Sequence, residues 1–221
     1  MIAERIAQVR ERIERAAERA GRDPKDVHLI AVSKVKPAAD IRAAYQAGQR
    51  DFGENYLQEF QQKATELADL TEARFHFIGK LQSNKTRPVA SLFNAVHTVE
   101  SLKVARRLNE QTERPLDIFL EVKLSYEEAK SGMAPAGIAE VAAFVREAPL
   151  LTLRGLMTMP PWSDDPEAPR DIFRRLRELA QQHRLPDLSM GMSHDLETAV
   201  EEGATFVRVG TAIFGKRVKP A

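Results

Sequence analysis

The chain is expected to adopt an α/β fold, a single (β/α)8 barrel of the TIM type with an extra N-terminal helix, in one domain over residues 1–221. Three observations predict it. Eight short apolar runs alternate strictly with segments of helical periodicity, a pattern that demands parallel pairing through right-handed crossovers, and eight such units close a barrel. No glycine-rich dinucleotide fingerprint follows the first run, and eight repeats would make an unusually wide open sheet, which disfavours a doubly wound alternative. With 221 residues, 43% of them hydrophobic, the chain can build one closed core, and no low-complexity tract or linker divides it.

The elements follow in order. Ile2, Ile6, Val9, Ile13, Ala16 and Ala20 recur at helical spacing, so the chain opens with an amphipathic helix that stops near Gly21 and packs on the outside of the barrel. Strand one spans 27–33, and the helix over 38–47 is closed by Gly48. Strand two is short, 50–53, with a helix over 56–67; strand three covers 74–78, with a helix over 87–93. Strand four is 95–99, and Ser101 caps the helix after it. Strand five, 117–124, is the longest apolar-rich run, and its helix covers 138–147. Strand six, 151–157, leads through a proline-rich loop at 160–169 to a helix over 172–183. Strand seven is 188–190, its helix 195–202 ends at Gly203, and strand eight is 206–209.

Composition removes several classes of function. The 33 basic and 32 acidic side chains leave a net charge of +1, so no broad cationic surface for nucleic acid or an anionic membrane is expected. The absence of cysteine excludes disulfides, thiolate catalysis and the usual zinc frameworks, and the five histidines have no metal-ligand spacing. The first twenty residues carry acidic groups and no uninterrupted apolar stretch, and no segment reaches membrane-spanning length, so a cytoplasmic protein is expected. Once the helices pack on the barrel no large apolar stripe is left over, which suits a monomer.

In a barrel of this kind the chemistry sits at the C-terminal ends of the strands. Lys34 ends the run Leu29-Ile30-Ala31-Val32-Ser33, where a partly desolvated amine has a lowered pKa and can condense with an aldehyde. Asn55, Met192 and Ser193 stand at other strand ends of the same rim. Strand seven ends in Gly191-Met192-Ser193 before a helix and strand eight in Gly210-Thr211-Ala212, the two places where this fold recurrently binds phosphate. Arg208 alternates with Val207 and Val209, so its guanidinium points away from theirs, into the mouth or out to solvent. Each feature has a plain structural alternative: Lys34 as a solvated strand end, Ser193 as a helix cap, Gly210 as a turn, Arg208 as a surface charge, and His76 as a core histidine. Their joint placement suits either a pyridoxal phosphate site or a sugar-phosphate site.

Read together, several blocks closely resemble the pyridoxal phosphate homeostasis protein family, related to the N-terminal barrel of alanine racemase. They are Ala31-Val32-Ser33-Lys34 with Lys36-Pro37, Phe52-Gly53-Glu54-Asn55-Tyr56, His76-Phe77-Ile78-Gly79 with Leu81-Gln82 and Asn84-Lys85, Arg154-Gly155-Leu156-Met157, Gly191-Met192-Ser193 with Asp195, and Val207-Arg208 with 210–215. The resemblance spans nearly the whole chain. It implies that Lys34 forms a covalent aldimine with pyridoxal 5'-phosphate, that Ser193, Gly210 and Thr211 hold the phosphate, and that Arg208 faces the pyridine nitrogen, with Met192 and Asn55 also at the cofactor. A guanidinium there keeps the ring nitrogen unprotonated and weakens the cofactor as an electron sink. The racemases carry a further β-domain and a second acid-base residue that this chain is expected to lack. The function implied is storage, buffering or transfer of the cofactor with little or no catalysis, and with apo pyridoxal phosphate enzymes as recipients. Two alternatives stand: a weak amino acid racemase using Lys34 alone or with Tyr56, and a Schiff-base aldolase acting on a sugar phosphate. Where the family ends strand five in a polar amide, this chain has Lys123, expected to be neutralised by Glu121 on the same strand face. Lys36 offers a second attachment point for the aldehyde, and Lys130 matches a lysine that the family also carries near the site, with an outward solvated lysine as its plain alternative.

Overall fold

The computed structural model describes residues 1–125 and 131–215. Eight parallel strands close into a barrel in sequence order: β1 His28–Val32, β2 Asp51–Glu54, β3 Arg74–Phe77, β4 Ala95–Val99, β5 Leu116–Glu121, β6 Leu151–Met157, β7 Asp187–Ser189 and β8 Phe206–Val209. β8 closes on β1 with Leu29 beside Val207 and Ala31 beside Val209. The helices are α1 Ile2–Arg19, α2 Ala38–Gln46, α3 Leu57–Glu66, α4 Thr86–Leu92, α5 Leu102–Gln111, α6 Ile138–Glu147, α7 Arg170–Gln182, α8 Leu196–Glu201 and α9 Thr211–Phe214.

Successive side chains of a strand point to opposite faces, and this period sorts the residues into two layers. Facing the helices is one continuous apolar layer that includes Phe52, Phe77, Leu116, Leu156, Val207 and Val209 from the sheet and Ile41, Phe60, Leu108, Val141 and Phe173 from the helices. Inside the barrel only a small apolar group forms, Ile30, Phe119, Met157 and Phe206. The remaining interior is polar: His76, His97, Ser189, Glu121 and Arg208 are all buried. Gly53 belongs to this inner face, because a Cβ there would lie 2.9 Å from the Ile30 Cγ2 and 3.0 Å from the Ile78 Cδ1. α1 packs on the outside, against α8, α9 and α2, burying Ile6, Val9, Ile13, Ala16 and Ala17; Ala20, expected on that face, is exposed.

The expected barrel and its extra helix are present, and four elements (β4, α6, β6 and β8) have the bounds read from sequence. Strand five is shorter than expected. After Glu121 one bond to β6 remains, Val122 N to Met157 O at 2.8 Å, and the chain then turns to Met133, which Val122 bridges, with Lys123 N donating to Met133 O at 2.9 Å and Met133 N to Glu121 O at 2.8 Å. Ser101 caps α5 as expected, accepting from Val104 N at 3.4 Å. The one-turn α9 and two short 3-10 turns, Pro24–Asp26 and Pro135–Gly137, lie below the length at which periodicity is readable. Among the described residues no helix is long and apolar enough to cross a membrane, and no cluster of side chains could hold a metal ion. Lys130 lies outside the described residues.

Candidate functional site

A cavity of about 520 Å³ opens at the C-terminal mouth of the barrel. Lys34, Asn55, Met192, Ser193, Arg208, Gly210 and Thr211, singled out from seven scattered positions, all line it. Val32, Ile78, Met157 and Met159 supply apolar wall, and Trp162, His194 and Ala212 complete the lining. Trp162, 71% exposed, lies tilted against His194 with ring centroids 5.1 Å apart. Nothing in the proline-rich loop marked Trp162, since loop residues carry no periodicity.

Lys34 follows β1 in a turn whose conformation is imposed from below. Val35 has φ 59, a left-handed value that costs a β-branched residue steric strain, so the turn must be held by its surroundings. Two groups of α3 hold it. Val35 N donates to Glu59 Oε1 at 2.7 Å, and the buried Lys63 Nζ donates to the carbonyls of Ser33 at 3.3 Å and Lys36 at 3.2 Å. Lys63 also pairs with Glu54 and Glu59, each at 2.7 Å, while Ser33 Oγ donates to Glu54 Oε1 at 2.8 Å. Burial pushes the Glu54 carboxyl up, against the lowering by Lys63 and Ser33. Sequence reading missed Lys63, because a lysine in an amphipathic helix reads as a solvated face. Lys36 is directed elsewhere: its Nζ donates to Phe214 O at 2.9 Å, joining the first loop to α9.

The opposite wall is built from the ends of β7 and β8. Ser193 does not cap α8, the plain alternative; Asp195 is the residue before that helix, and Ser193 Oγ accepts from Ala212 N at 3.3 Å. One hydroxyl thus joins both loops where they meet the cavity. The preceding turn requires glycine, since Gly191 has φ +91 and a Cβ there would sit 2.5 Å from the Ala199 Cβ. Asp195 Oδ1 accepts from Met192 N at 2.6 Å, and Arg12 of α1 donates to Ser193 O at 3.1 Å while pairing with Glu197 at 2.6 Å. The extra N-terminal helix therefore props the loop after β7.

Arg208 is interior and 4% exposed, which excludes the surface-charge reading. It donates to Ser189 Oγ at 2.8 Å and to Thr158 O at 3.0 Å. Burial lowers its pKa to about 10, opposed by the carboxylates of Asp195 and Glu121. Glu121 is itself pushed up to about 7, first by burial and then by Glu100, against the opposing charges of Arg208 and Lys80. The charges acting most strongly on Glu121 are therefore these three rather than Lys123, contrary to the expected pairing. His76 is a buried structural histidine bonded to Asp51 and His97.

These features coincide with those of known proteins. A family model described as the alanine racemase N-terminal domain matches residues 5–218. The pyridoxal phosphate homeostasis protein of Pseudomonas aeruginosa is 54% identical over 221 residues, covering 98% of this chain and 96% of the relative. That of Escherichia coli K12 is 45% identical over 233 residues, covering 98% and 97%. The chain belongs to the pyridoxal phosphate homeostasis protein family. Among solved structures, PipY of Synechococcus elongatus with pyridoxal phosphate bound superposes with a TM-score of 0.84 at 41% identity, over 97% of this chain and 100% of PipY.

Proposed function

We propose that this protein, acting as one barrel domain, binds pyridoxal 5'-phosphate in the mouth cavity and stores, buffers or hands on the cofactor with little or no turnover. The observation that carries this reading is the convergence of an amine, a buried guanidinium and the phosphate-binding loop ends on one cavity of about 520 Å³, within the size range of small-molecule sites. The residues present fit the cofactor. Ser193 and the Thr211 amide at the start of α9, together with Gly210, offer hydroxyl and amide donors to a phosphate, while the Ala212 amide holds the Ser193 hydroxyl oxygen beside them. Buried Asn55 Oδ1 has no hydrogen-bond partner among the described residues, an open acceptor on the cavity wall. Ile78, Met157 and Met192 give the apolar surface that an aromatic ring needs.

When bound, pyridoxal phosphate supplies an aldehyde for reversible condensation with an amine and a ring that withdraws electrons, most strongly when its nitrogen is protonated. Lys34 is the amine we assign to the aldehyde. Arg208 donates hydrogen bonds and holds no proton-accepting form in this site, so it favours an unprotonated ring nitrogen and a weak electron sink. That choice suits retention and release better than racemisation. Homologues named for pyridoxal phosphate homeostasis, and PipY solved with pyridoxal phosphate, support the reading. We place the protein in the cytoplasm as a monomer, without nucleic acid or membrane partners, and with apo pyridoxal phosphate enzymes as recipients.

Titration with pyridoxal phosphate tests this. The parent should gain a visible absorption band at one equivalent, give the cofactor up to an apo enzyme, and leave the chirality of amino acids unchanged. A parent that stays colourless at saturating cofactor would contradict the assignment, and rapid loss of chirality would contradict the storage role.

A further inference from the structure

Five side chains on five strands form one hydrogen-bonded file through the interior of the barrel. From the mouth downward, Arg208 of β8 donates to Ser189 Oγ of β7 at 2.8 Å, and Ser189 Oγ lies 2.8 Å from His97 Nδ1 of β4. His97 Nε2 lies 3.0 Å from His76 Nδ1 of β3, and His76 Nε2 lies 2.9 Å from Asp51 Oδ1 of β2. Ser189, His97, His76 and Arg208 are buried to within 4%. Asp51, at the start of its strand, is 21% exposed and lines a second cavity of about 290 Å³ at the base of the barrel.

We propose that this file is a polarised relay that ties the orientation of Arg208 to the charge of Asp51, making Asp51 a positioning residue for the cofactor ring from the opposite end of the barrel. The proposal rests on the reading that Arg208 faces the ring nitrogen. Its direction follows from the two ends. A guanidinium only donates, so Ser189 Oγ must accept from it and keeps its own proton for His97 Nδ1. A carboxylate only accepts, so His76 must carry its proton on Nε2, leaving Nδ1 to accept from His97 Nε2–H. Two neutral histidines satisfy every contact, and burial together with the nearby His76 and Arg208 holds the His97 pKa well below its ordinary value. Burial raises the Asp51 carboxyl, but the hydrogen bond from His76 and the guanidinium of Arg74, 3.7 Å away, outweigh it and leave its pKa below the ordinary value. All four hydrogen bonds therefore point from the cation to the anion, each polarising the next. Losing the anion weakens the whole file, not only its last bond.

Imidazole nitrogen NMR of the cofactor-free protein tests the direction. Both histidines should be protonated on Nε2 and bare on Nδ1; a proton on His97 Nδ1 would overturn the relay, whatever happens to any variant. Pyridoxal phosphate titration tests the coupling, using Asp51→Asn, Ser189→Ala and the double variant. Each single change should weaken binding by about five- to tenfold, the scale of one or two hydrogen bonds, and should shift the visible band of the bound cofactor. The double variant should bind no more weakly than Ser189→Ala alone, since a relay already cut at Ser189 no longer feels Asp51. Adding cofactor to the parent should also shift the His76 nitrogens, although His76 does not line the cavity, and Ser189→Ala should abolish that shift. Additive losses, or an unchanged band in Asp51→Asn, would contradict the proposal. If the parent takes up no cofactor, the reading of the site fails separately, and the histidine tautomers alone decide the relay.

Discussion

The two layers of this barrel are built on opposite rules. Between sheet and helices the side chains are apolar and fully enclosed, with Phe60, Phe93, Phe173, Leu108 and Leu116 among the largest buried groups. Phe93 alone packs its ring tilted against Phe60, centroids 4.7 Å apart, and edge-on to Phe77 at 5.2 Å. Inside the sheet, four apolar residues share the space with a guanidinium, a glutamic acid and two histidines. The outer layer gains its energy from area and close packing, which any well-shaped set of apolar residues supplies. The inner layer spends stability on burying charge, a cost that makes sense only where the charge acts on something. Stability and binding should therefore respond to substitution separately.

Phe93→Ala should show the largest effect. Truncating a fully buried phenylalanine is expected to cost about 3–5 kcal/mol in denaturant unfolding, while the folded fraction should bind pyridoxal phosphate as the parent does. A much weaker affinity in the folded fraction would erase the distinction between the layers.

Glu121→Gln should give an intermediate and pH-dependent effect of the reverse kind. Burial and Glu100 raise the Glu121 carboxyl from 4.5 to about 7 in the folded state. Between those values the folded protein holds a proton that the unfolded chain has released, so the stability this group contributes is present below pH 4.5 and lost as the pH rises through 7. Gln keeps the neutral form throughout. The cofactor-free variant should match the parent at acid pH and exceed it by about 1–3 kcal/mol at pH 8; a difference that does not change with pH would show that Glu121 is not held protonated.

Arg12→Ala, on the outer helix, should be the mildest. The Arg12–Glu197 pair is partly exposed, so its loss should move the unfolding midpoint by less than about 1 kcal/mol. A larger loss would mean that the hydrogen bond from Arg12 to Ser193 O carries structural weight across the layers.

The same division explains what the sequence disclosed. The outer layer writes itself as periodicity, which is why α6 and β6 were readable to the residue, whereas β5 was overextended because Val122, Lys123 and Leu124 continue the alternation after the chain has turned toward Met133. Lys34, Ser193 and Arg208 were legible because strand ends of a barrel converge whatever lies between them. Lys63 was not, since its helix position and charge suit solvent and only the fold turns it under the Ser33–Lys36 turn. Nor did spacing reveal the file from Asp51 to Arg208: its members are adjacent only across strands, and the alternation of His76 with Phe75 and Phe77 gave its face but not its partners. Glu121 was paired with Lys123 by strand alternation alone, while Glu100, Lys80 and Arg208 act on it from other strands and loops.

The most direct test is borohydride reduction of the cofactor-loaded protein followed by peptide mass mapping, run in parallel on Lys34→Ala. The parent should carry one reduced pyridoxyl group on the peptide containing Lys34, and the variant, folded and of unchanged stability within about 0.5 kcal/mol, should carry none there and lose its visible band. A Lys34→Ala protein that stays equally coloured and equally reducible would show that another amine holds the cofactor.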